Sequence, residues 1–598
     1  IHMMFNKSTD IMRIIILNKT YNFSVEGYYK KMDNLLEYRD GHTFTPFYVN
    51  WEDKLTAGEG RSYGAELMVR KETGRTTGWI GYGLSWSDRQ FDELNLGERF
   101  PARFDNRHKL NIVVMHKLSP KVEISAAWSY ASGNHVTLSL ENYRENGSPN
   151  YVHSDGYDLS YSGSWGLDYY EGRNNYQLPS YHRLDLGLKI YRPKKKGRMG
   201  IWTISVYNVY SRMNPFMIYK SDKRVSDPFS GGYKYVSAFR QIGVMPIIPS
   251  ISYTYKFNRM NMKISYLLVG ILLLTASCTK VVDLEDLRPD PKLVLNCVAS
   301  PGEPLKASLS RTWFYTEDYP NVTIEDARLN LYVNDRFVQE MDWEVEETEY
   351  YATGNYVSSY IPVAGDKIRI EASRDGFKSV SGEETVLPKP ALLGFSASEI
   401  NRDDRYDYNY KRKIQITFKD GPNLGDCYLL RLSSGWPKYE YDISGDHKPV
   451  YTGEYYWYTE SMDYATEPVF GNQISIIDKV FGNDWLSGNN GHPFSDELIN
   501  GKEYTINIES TSYYFSNTNI DPSEQMPDSI RVYLYSISES YYKYLSAVIS
   551  LHDGTLNSDL ASAGLAEPVR VFNNIKGGLG IMGTASVDSL TVAVTNAD

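Results

Sequence analysis

The sequence contains very little cysteine, with only three in 598 residues. A framework of disulfide bonds is not expected, because such frameworks need several paired cysteines. Cys297 and Cys427 lie within strand-like runs, which favours two buried thiols. A disulfide between them stays open at this point, since it would require a proximity that the sequence does not reveal.

The sequence also lacks the motifs of common nucleotide-dependent and hydrolytic enzymes. It has no phosphate-binding loop, dinucleotide-binding fingerprint, paired-cysteine zinc site or nucleophile elbow. Dispersed catalytic residues would escape such a search, so a secreted hydrolase stays an alternative. We expect no enzymatic activity, no cofactor, no metal and no nucleic-acid partner.

Two groups of polar residues contain side chains that could bind a metal ion. His492 lies near Asp496, and we interpret the pair as part of a turn rather than as ligands. Asp403, Asp404 and Asp407 would suit weak calcium binding. A solvated acidic loop is the favoured interpretation of these three carboxylates.

Long hydrophobic runs are nearly absent as well. The clearest run, residues 264–276, has 13 residues. As a helix it would span roughly 20 Å, less than the roughly 30 Å of a membrane core. Lys263 precedes the run and the small residues before Cys278 close it, which is typical of a signal segment. A buried core helix is the alternative.

Charge changes sign around this apolar run. Residues 1–257 contain 34 Lys and Arg against 25 Asp and Glu, a net charge of +9, whereas residues 279–598 contain 27 against 49, a net charge of −22. Such a reversal indicates two unrelated modules. The 51 Tyr, 45 Gly and 26 Pro favour strands and turns, so we predict an all-β protein.

The first module repeats a two-residue alternation of apolar and polar residues. In 121–130 one face is apolar and the other polar, and 251–257 repeats the pattern and ends on aromatic Phe257. Short connections alternate with long ones, as in transmembrane sheets; a soluble sandwich is the alternative. Strands are predicted near 21–37, 61–71, 76–90, 107–119, 121–138, 181–192, 197–220 and 233–257.

Four segments of this module carry a family resemblance: "PARFDNRHKLNIVVMHKLSPKVEISAAWSYASGNHVTL", "LPSYHRLDLGLKIY", "NVYSRMNPF" and "MPIIPSISYTYKF". They resemble the C-terminal β-barrel of TonB-dependent outer-membrane receptors, over residues 21–257. The resemblance implies a 22-stranded barrel around a plug, of which eight strands, the last third, are expected here. Residues 1–20 do not match the preceding strand and stay unassigned.

The same resemblance implies partners and a location. Phe257 would be the C-terminal signal that barrel assembly recognises. The expected partners are outer-membrane lipid, a complete receptor and its energy-coupling system. The expected location is the outer membrane.

Residues 260–278 resemble a lipoprotein signal peptide with its lipobox. The resemblance implies cleavage behind Ser277 and acylation of Cys278, where several acyl chains would anchor the product stably. One protein would thus end at Phe257 and another begin at Met260 or Met262. Two neighbouring genes read as one chain, or a real fusion separated by cleavage, are both consistent with this, and two mature polypeptides are expected.

The second module is expected to comprise a tether, 279–290, and two domains. Residues 291–387 form short alternating runs with a turn at Asn334-Asp335, and they resemble an immunoglobulin-like or transthyretin-like β-sandwich. A proline-rich linker precedes a larger β-rich domain, 391–598, with one helix. Ser538 would cap that helix, and its buried face would contain the following residues: Tyr541, Tyr544, Leu545, Val548 and Leu551.

The end of the chain, "EPVRVFNNIKGGLGIMGTAS", packs glycines beside β-branched residues. It resembles Bacteroidetes lipoproteins of domain-of-unknown-function family 4249, a family that implies no activity. Acidic residues after Cys278 faintly resemble a surface-export signal. The lipoprotein would therefore be lipid-anchored, on either the periplasmic or the extracellular face.

Aromatic residues are the candidate ligand contacts. Those in the long loop 139–180 and in the run 455–458 would stack on a small molecule, peptide or glycan, although consecutive aromatics on a strand point to opposite faces. The favoured function is nutrient uptake, with a lipoprotein that binds ligand or caps the barrel; a structural or adhesion lipoprotein is the second hypothesis. The candidates are Tyr157, Trp165, Tyr169, Tyr170, Tyr456 and Trp457.

Overall fold

A computed structural model describes most of the chain. The described residues are 5–17, 20–39, 55–145, 166–195, 198–226, 232–256, 278–317, 320–347, 352–400, 409–441, 449–463, 467–470, 491–513, 527–552 and 568–596. The chain divides into two compact units. The first comprises Ile1–Leu140, Tyr170–Arg288 and Leu556–Pro568, and the second comprises Glu141–Tyr169, Pro289–Thr555 and Val569–Asp598.

Strands dominate both units, as predicted. The first seventeen are β1 (Phe5–Leu17), β2 (Tyr21–Tyr38), β3 (Leu55–Lys71), β4 (Thr76–Phe91), β5 (Phe100–Pro101), β6 (His108–Ser119), β7 (Val122–Ala131), β8 (His135–Val136), β9 (Glu141–Arg144), β10 (Gly166–Tyr169), β11 (Tyr176–Gln177), β12 (Tyr181–Pro193), β13 (Met199–Tyr207), β14 (Asn214–Ser226), β15 (Tyr233–Val244), β16 (Ile248–Lys256) and β17 (Cys278–Val282). All of these except β9 and β10 lie in the first unit.

The main sheet of the first unit is an antiparallel meander. Its order is β1-β2-β3-β4-β6-β7-β12-β13-β16, with the short β5 paired to β4. Among the described residues β1 and β16 are the two edges, and they do not pair with each other. The six strands predicted between residues 21 and 192 occur in the predicted order, and the all-β class holds.

The register of this sheet places the alternation on two distinct faces. One cross-strand row is apolar and contains Ile124, Leu188, Ile204 and Ile251. The next row, which points to the opposite face, is polar and contains Glu123, Lys189, Thr203 and Ser252. Ile204 and Ile251 are 40% and 67% exposed, so the apolar face is not covered by a core.

Several predicted boundaries in this module are corrected by the structure. Residues 5–17, left unassigned from the sequence, form β1 and pair with β2. The strand predicted over 197–220 is two strands, β13 and β14, and that over 233–257 is β15 and β16. Buried Asn208 connects the two segments that interrupt these strands. Its side-chain amide donates hydrogen bonds to the carbonyl of Arg212, between β13 and β14, and to that of Met245, between β15 and β16, each at 2.8 Å.

The segment predicted as a polar tether begins as a strand. β14, β15 and β17 form a separate three-stranded sheet, in which Cys278 is the Cα partner of Gly243 and Val282 that of Phe239. A short 3-10 helix follows at Glu285–Leu287. The predicted signal peptide, 260–278, lies outside the described residues except for Cys278.

The remaining elements all belong to the second unit. They are β18 (Leu293–Ala299), β19 (Lys306–Arg311), β20 (Trp313–Phe314), β21 (Arg328–Val333), β22 (Arg336–Glu340), β23 (Asp342–Glu347), β24 (Ala352–Val357), β25 (Lys367–Ser373), β26 (Val380–Thr385), β27 (Ala391–Ile400), β28 (Asn409–Lys419), β29 (Cys427–Tyr441), β30 (Pro449–Thr459), β31 (Ser461–Asp463), β32 (His492–Ser495), β33 (Glu503–Tyr513), β34 (Ser529–Ile537), the helix α1 (Glu539–His552), β35 (Leu579–Ala593) and β36 (Thr595–Asn596). Within the described part of the chain, no helix is both long and apolar enough to cross a membrane.

One long sheet runs through the second unit and joins the two domains predicted from the sequence. Its order is β23-β24-β19-β18-β35-β34-β29-β30, with β32 paired to β29. β18 and β35 pair in parallel although they are far apart in the chain. The predicted boundary at 387–391 is therefore not a boundary between separate sheets.

Two smaller sheets cover this long sheet. The sheet β22-β21-β25-β26 encloses an apolar core around Leu295, Leu331 and Ile370, and the sheet β31-β33-β28-β27-β36 contributes to a second core around Ile416 and Leu430. A third core includes residues of α1 and of the β9–β10 hairpin. β18 is buried on both faces, which explains why its sequence is apolar except at Asn296.

The predicted helix is confirmed. The Ser538 hydroxyl accepts a hydrogen bond from the backbone N–H of Tyr541 at 3.4 Å, as an N-cap does. Tyr541 and Tyr544 are buried as expected, along with Leu545 and Val548. A Cβ on Gly583 would lie 2.9 Å from the Cβ of Tyr541, so the glycine allows the helix to approach β35 closely.

Candidate functional site

The structure places the predicted site residues in three different locations. Cys278 is the first residue of β17, Tyr169 ends β10, and Tyr456 and Trp457 are neighbours on β30. Tyr170 follows β10 directly. Phe257, Tyr157 and Trp165 lie outside the described residues.

Tyr169 is occupied by contacts within the second unit. Its partly buried ring packs against the core that contains α1. The ammonium group of Lys292 lies 5.0 Å from the centroid of the same ring, within cation–π range. This tyrosine therefore has a packing role in the structure as described.

The β29–β30 hairpin presents a row of aromatic side chains, which we call the aromatic row. It consists of Tyr439, Tyr451, Tyr455 and Trp457. Successive ring centroids along the row are 5.9, 5.9 and 5.8 Å apart, and the ring planes are tilted by 38° to 73° relative to their neighbours. The row is therefore continuous but not flat.

A cation lies at the end of the aromatic row. The guanidinium group of Arg531 lies 4.1 Å from the centroid of Trp457. Its Nε donates to the Thr591 hydroxyl at 2.8 Å, which fixes the side chain between β34 and β35. A ligand at Trp457 would therefore meet an aromatic surface and a held positive charge together.

Tyr456 points to the opposite face of β30 from Trp457, as alternation along a strand requires. It is 42% exposed, and the Lys438 ammonium lies 5.7 Å from its ring centroid. The two predicted contacts on β30 therefore belong to different surfaces. One ligand molecule lying on the aromatic row would contact Trp457 and not Tyr456.

The aromatic row has the composition of a surface for extended, partly apolar ligands. Tilted rings stack on successive units of a chain, such as sugar rings or peptide side chains, better than on one large planar surface. Tyrosine hydroxyl groups can donate and accept hydrogen bonds at the edge of such contacts.

The sequence analysis missed most of this row. Tyr451, Tyr455 and Trp457 lie at even spacings on β30 and share one face, whereas Tyr439 lies on β29, where the register shift opposite Gly453 (φ 87°) brings it beside Tyr451. Arg531 lies on another strand, so no local pattern connects it to Trp457. The alternation of Tyr451, Tyr455 and Trp457 was the signal available within β30.

A second cluster consists of three carboxylates, Asp420, Asp426 and Asp496. One carboxylate oxygen from each lies within 4.8 Å of those of the other two. Burial is the largest cause of the raised pKa of Asp426, and the two neighbouring carboxylates add to it. Oxygen ligands of this kind suit calcium or magnesium.

Two of the three carboxylates accept hydrogen bonds from within the protein. Asp420 accepts the Tyr428 hydroxyl at 2.6 Å and the backbone N–H of Gly501 at 2.7 Å. Both carboxylate oxygens of Asp496 accept the backbone N–H of Gly425, at 2.9 and 3.0 Å. Asp420 and Asp496 therefore hold the connection between β28 and β29 through these hydrogen bonds.

His492 is not in the turn expected from the sequence. It is the first residue of β32 and is buried beside Phe470, at a ring-centroid distance of 6.2 Å. Burial lowers its pKa to about 4, so the imidazole is neutral near pH 7. The three aspartates near residue 405 lie outside the described residues.

The two buried thiols expected from the sequence are confirmed. Cys297 and Cys427 are free and buried, and they lie in different cores. Burial raises the pKa of each to about 12. Neither thiol has the lowered pKa of a reactive cysteine.

The glycine-rich end of the chain now has a structural explanation. Gly580 adopts φ 117°, and a Cβ there would lie 2.0 Å from the carbonyl oxygen of Leu295. The Asn296 side chain accepts the backbone N–H of Ile581 at 3.0 Å, which locks the parallel pairing of β18 and β35. These contacts join the start and the end of the second unit.

Comparison with known proteins identifies this second unit. Residues 279–591 match DUF4249, a domain of unknown function. Comparison with curated proteins gives no match. The resemblance noted in the sequence of the second half is confirmed, and the chain belongs to the DUF4249 family.

Proposed function

We propose that this chain serves nutrient uptake at an outer membrane. Its first unit is the C-terminal part of a 22-stranded receptor barrel of the TonB-dependent type, and its DUF4249 unit is a membrane-anchored lipoprotein that binds ligand or caps the barrel. The two parts act as separate polypeptides after cleavage before Cys278. The exposed apolar face of the β1–β16 meander carries the proposal.

That face has the chemistry of a lipid-facing surface. Four strands align Ile124, Leu188, Ile204 and Ile251 in one row, and a neighbouring row ends with Trp202 beside Tyr253. The Trp202 and Tyr253 ring centroids are 4.7 Å apart, and both rings are more than one third exposed. An exposed apolar face that continues across four strands is rare on monomeric soluble proteins and usual on the outside of transmembrane sheets.

The opposite face has the chemistry of a polar lumen. The Ser205 and Ser250 hydroxyl groups lie 2.6 Å apart, and the Lys189 ammonium lies 4.0 Å from the Glu123 carboxylate. In a soluble sheet the apolar face would be the covered one and the polar face the exposed one. Here the apolar face is uncovered, which supports a membrane environment.

The aromatic row supports ligand binding by the lipoprotein. Its three tyrosines, Trp457 and Arg531 offer stacking surfaces beside a fixed cation. The ligand class is an extended small molecule, peptide or glycan. Acyl chains on Cys278 would hold this surface at the membrane.

A pair of adjacent substitutions tests the membrane-facing surface. Ile204→Lys places a charge on the apolar face of β13, whereas Ser205→Lys places the same charge on the polar face. A lysine facing lipid costs about 2–4 kcal/mol near the bilayer centre. We expect Ile204→Lys to reduce the amount of chain recovered in carbonate-washed outer membranes, with Ser205→Lys close to the parent.

Equal recovery of the two variants would contradict the lipid-facing assignment. The anchor is tested separately by Cys278→Ala, which should abolish acylation and leave the chain uncleaved. Mass spectrometry of the intact protein reads both events. An unmodified Cys278 in a mature chain of the parent would refute the lipoprotein part of the proposal.

The ligand surface is tested on the full chain in outer membranes. Trp457→Ala should weaken binding of the oligosaccharides or tripeptides that the parent retains in a screen, while Tyr456→Ala, on the other face, should not. Losing one stacked aromatic ring costs about 0.5–1.5 kcal/mol beyond its buried area. Equal effects of the two substitutions would exclude the aromatic row as the binding surface.

A further inference from the structure

The β9–β10 hairpin lies in the second unit although its sequence lies between strands of the first. Its flanking strands β8 and β11 pair with each other in the first unit. β9 instead pairs with β20, and the three strands form the sheet β10-β9-β20. The Cα partners are Asn142 with Trp313, and Glu141 with Phe314.

The buried carboxylate of Glu141 fixes the register of this pairing. Glu141 is 4% exposed. Its carboxylate accepts the Lys292 ammonium at 2.5 Å and the Thr312 hydroxyl at 2.6 Å. Because a buried carboxylate without a partner is strongly unfavourable, this contact binds the hairpin to the residues that precede β18 and β20.

Apolar contacts complete the attachment of the hairpin. Tyr143 and Leu167 are 5% and 3% exposed and belong to the core that contains α1 and Val294. A Cβ on Gly166 would lie 2.6 Å from the Trp313 ring, so the absent side chain leaves room for the indole. Arg144 adds a hydrogen bond to the Thr323 hydroxyl at 3.1 Å.

A second segment makes the reciprocal contact. β17 follows the predicted cleavage point and so belongs to the DUF4249 half of the sequence, yet it lies in the first unit. It extends the β14–β15 hairpin, with five consecutive Cα pairs from Gly243–Cys278 to Phe239–Val282. Each of these two sheets therefore contains strands from both halves of the sequence.

We propose that the receptor half and the lipoprotein half stay bound to each other by reciprocal strand exchange. The β9–β10 hairpin of the receptor half adds to β20 of the lipoprotein, and β17, at the lipoprotein N-terminus, adds to β15 of the receptor. The exchange deepens the proposed function and rests on it, because it takes the mature halves as two polypeptides. Strand addition of this kind uses main-chain hydrogen bonds for affinity and buried side chains for specificity.

Cysteine pairs introduced into the full chain test each strand directly. The pair Asn142→Cys and Trp313→Cys tests the pairing of β9 with β20, and the pair Gln241→Cys and Lys280→Cys tests the pairing of β15 with β17. The two residues of each pair lie directly opposite each other on neighbouring strands. Asn142→Cys with Val338→Cys, an exposed position on β22, is the control. Outer membranes are oxidised, and disulfide-linked peptides are identified by mass spectrometry.

A charge reversal tests the interface without new cysteines. Glu141→Lys should lower the amount of lipoprotein that co-purifies with the receptor half by at least about tenfold, since breaking a buried pair costs more than the 1.4 kcal/mol that a factor of ten requires. Adding Lys292→Glu should restore co-purification. Restoration would separate a contact between the halves from a general folding defect.

We expect a linked peptide for both test pairs and none for the control. A test pair that gives no linked peptide overturns the exchange of its strand, and an unchanged yield for Glu141→Lys overturns the role of the ion pair. Linked peptides in a chain that is not cleaved support the strand pairing and overturn the separation into two polypeptides. Cleaved halves that neither crosslink nor co-purify overturn the exchange alone, because the membrane and ligand assays above do not depend on it.

Discussion

The buried ion network around Arg412 gives the sharpest prediction for the stability of the DUF4249 unit. Arg412 is 2% exposed, and its guanidinium contacts Glu460 at 3.5 Å, Asp528 at 3.0 Å and the Ser434 hydroxyl at 2.8 Å. The substitution Arg412→Met keeps much of the side-chain volume and removes the charge. It leaves the buried Glu460 carboxylate without a cationic partner.

The expected cost follows from what remains around Glu460. Removing one partner of a buried pair costs about 3–5 kcal/mol. Glu460 keeps hydrogen bonds from Ser434 and, at 2.5 Å, from Ser510, while Asp528, whose side chain is 25% exposed, regains water. We therefore expect the lower end of the range, about 3 kcal/mol.

Hydrogen exchange of the full chain in detergent measures this cost locally. Amides of β28 and β33, which pair along their length, should exchange about a hundredfold faster in Arg412→Met, because 1.4 kcal/mol corresponds to a factor of ten. Lys413→Met is the matched control, since Lys413 is the next residue and is exposed. Equal protection in the two variants would refute the reasoning.

Three further predictions concern single residues in the second unit. Cys297 and Cys427 should resist maleimide until the protein is denatured, because burial raises the pKa of each thiol to about 12. The contribution of these neutral thiols to stability is present below the ordinary cysteine pKa of about 8.5, and it is lost as the pH rises from there towards 12. Gly580→Ala should lower the free energy of unfolding by more than about 3 kcal/mol, since strain at positive φ adds to overlap with a backbone carbonyl. Gly302 also has a positive φ, 88°, but open space around it, so Gly302→Ala should lower the free energy of unfolding by only about 1 kcal/mol. Thermal denaturation compares the two variants. The pKa of His492 is lowered by burial to about 4, so stability should fall as the pH drops from about 6.5 towards 4, where the unfolded chain takes up the proton first. His492→Phe should lose this contribution, and a melting temperature that falls equally in parent and variant would contradict it.

Local features of the fold were predictable because their causes lie within a few residues. Asn334 and Asp335 both adopt positive φ, 52° and 63°, in the turn between β21 and β22, as the sequence indicated. Ser538 caps α1, and the buried face of that helix follows its 3.6-residue period. The two-residue alternation of β12 and β13 likewise fixed which of their residues share a face.

Features that join distant segments were not predictable from the sequence. β18 pairs with the buried first part of β35, and no local sequence pattern identifies β35 as its neighbour. The aromatic row was found only in part, since Tyr439 lies on β29 and Arg531 on β34, away from the other residues of the row on β30. Residues 5–17 and 278–282 lacked a clear strand pattern in the sequence, and they form β1 and β17 by pairing with β2 and β15.

The sequence alone determined the all-β class, the reversal of charge between its two halves and the helix that follows Ser538, and its closing segment resembles the family to which the chain belongs. The first three depend on composition, periodicity or capping, which act over short stretches of chain. Tertiary structure decided that one sheet runs through both predicted domains of the second half, that Glu141 and Lys292 meet, and that each unit includes a strand from the other half of the sequence. These outcomes depend on which strand edges and buried charges remain to be satisfied once the local elements have formed, and only the assembled structure contains that information.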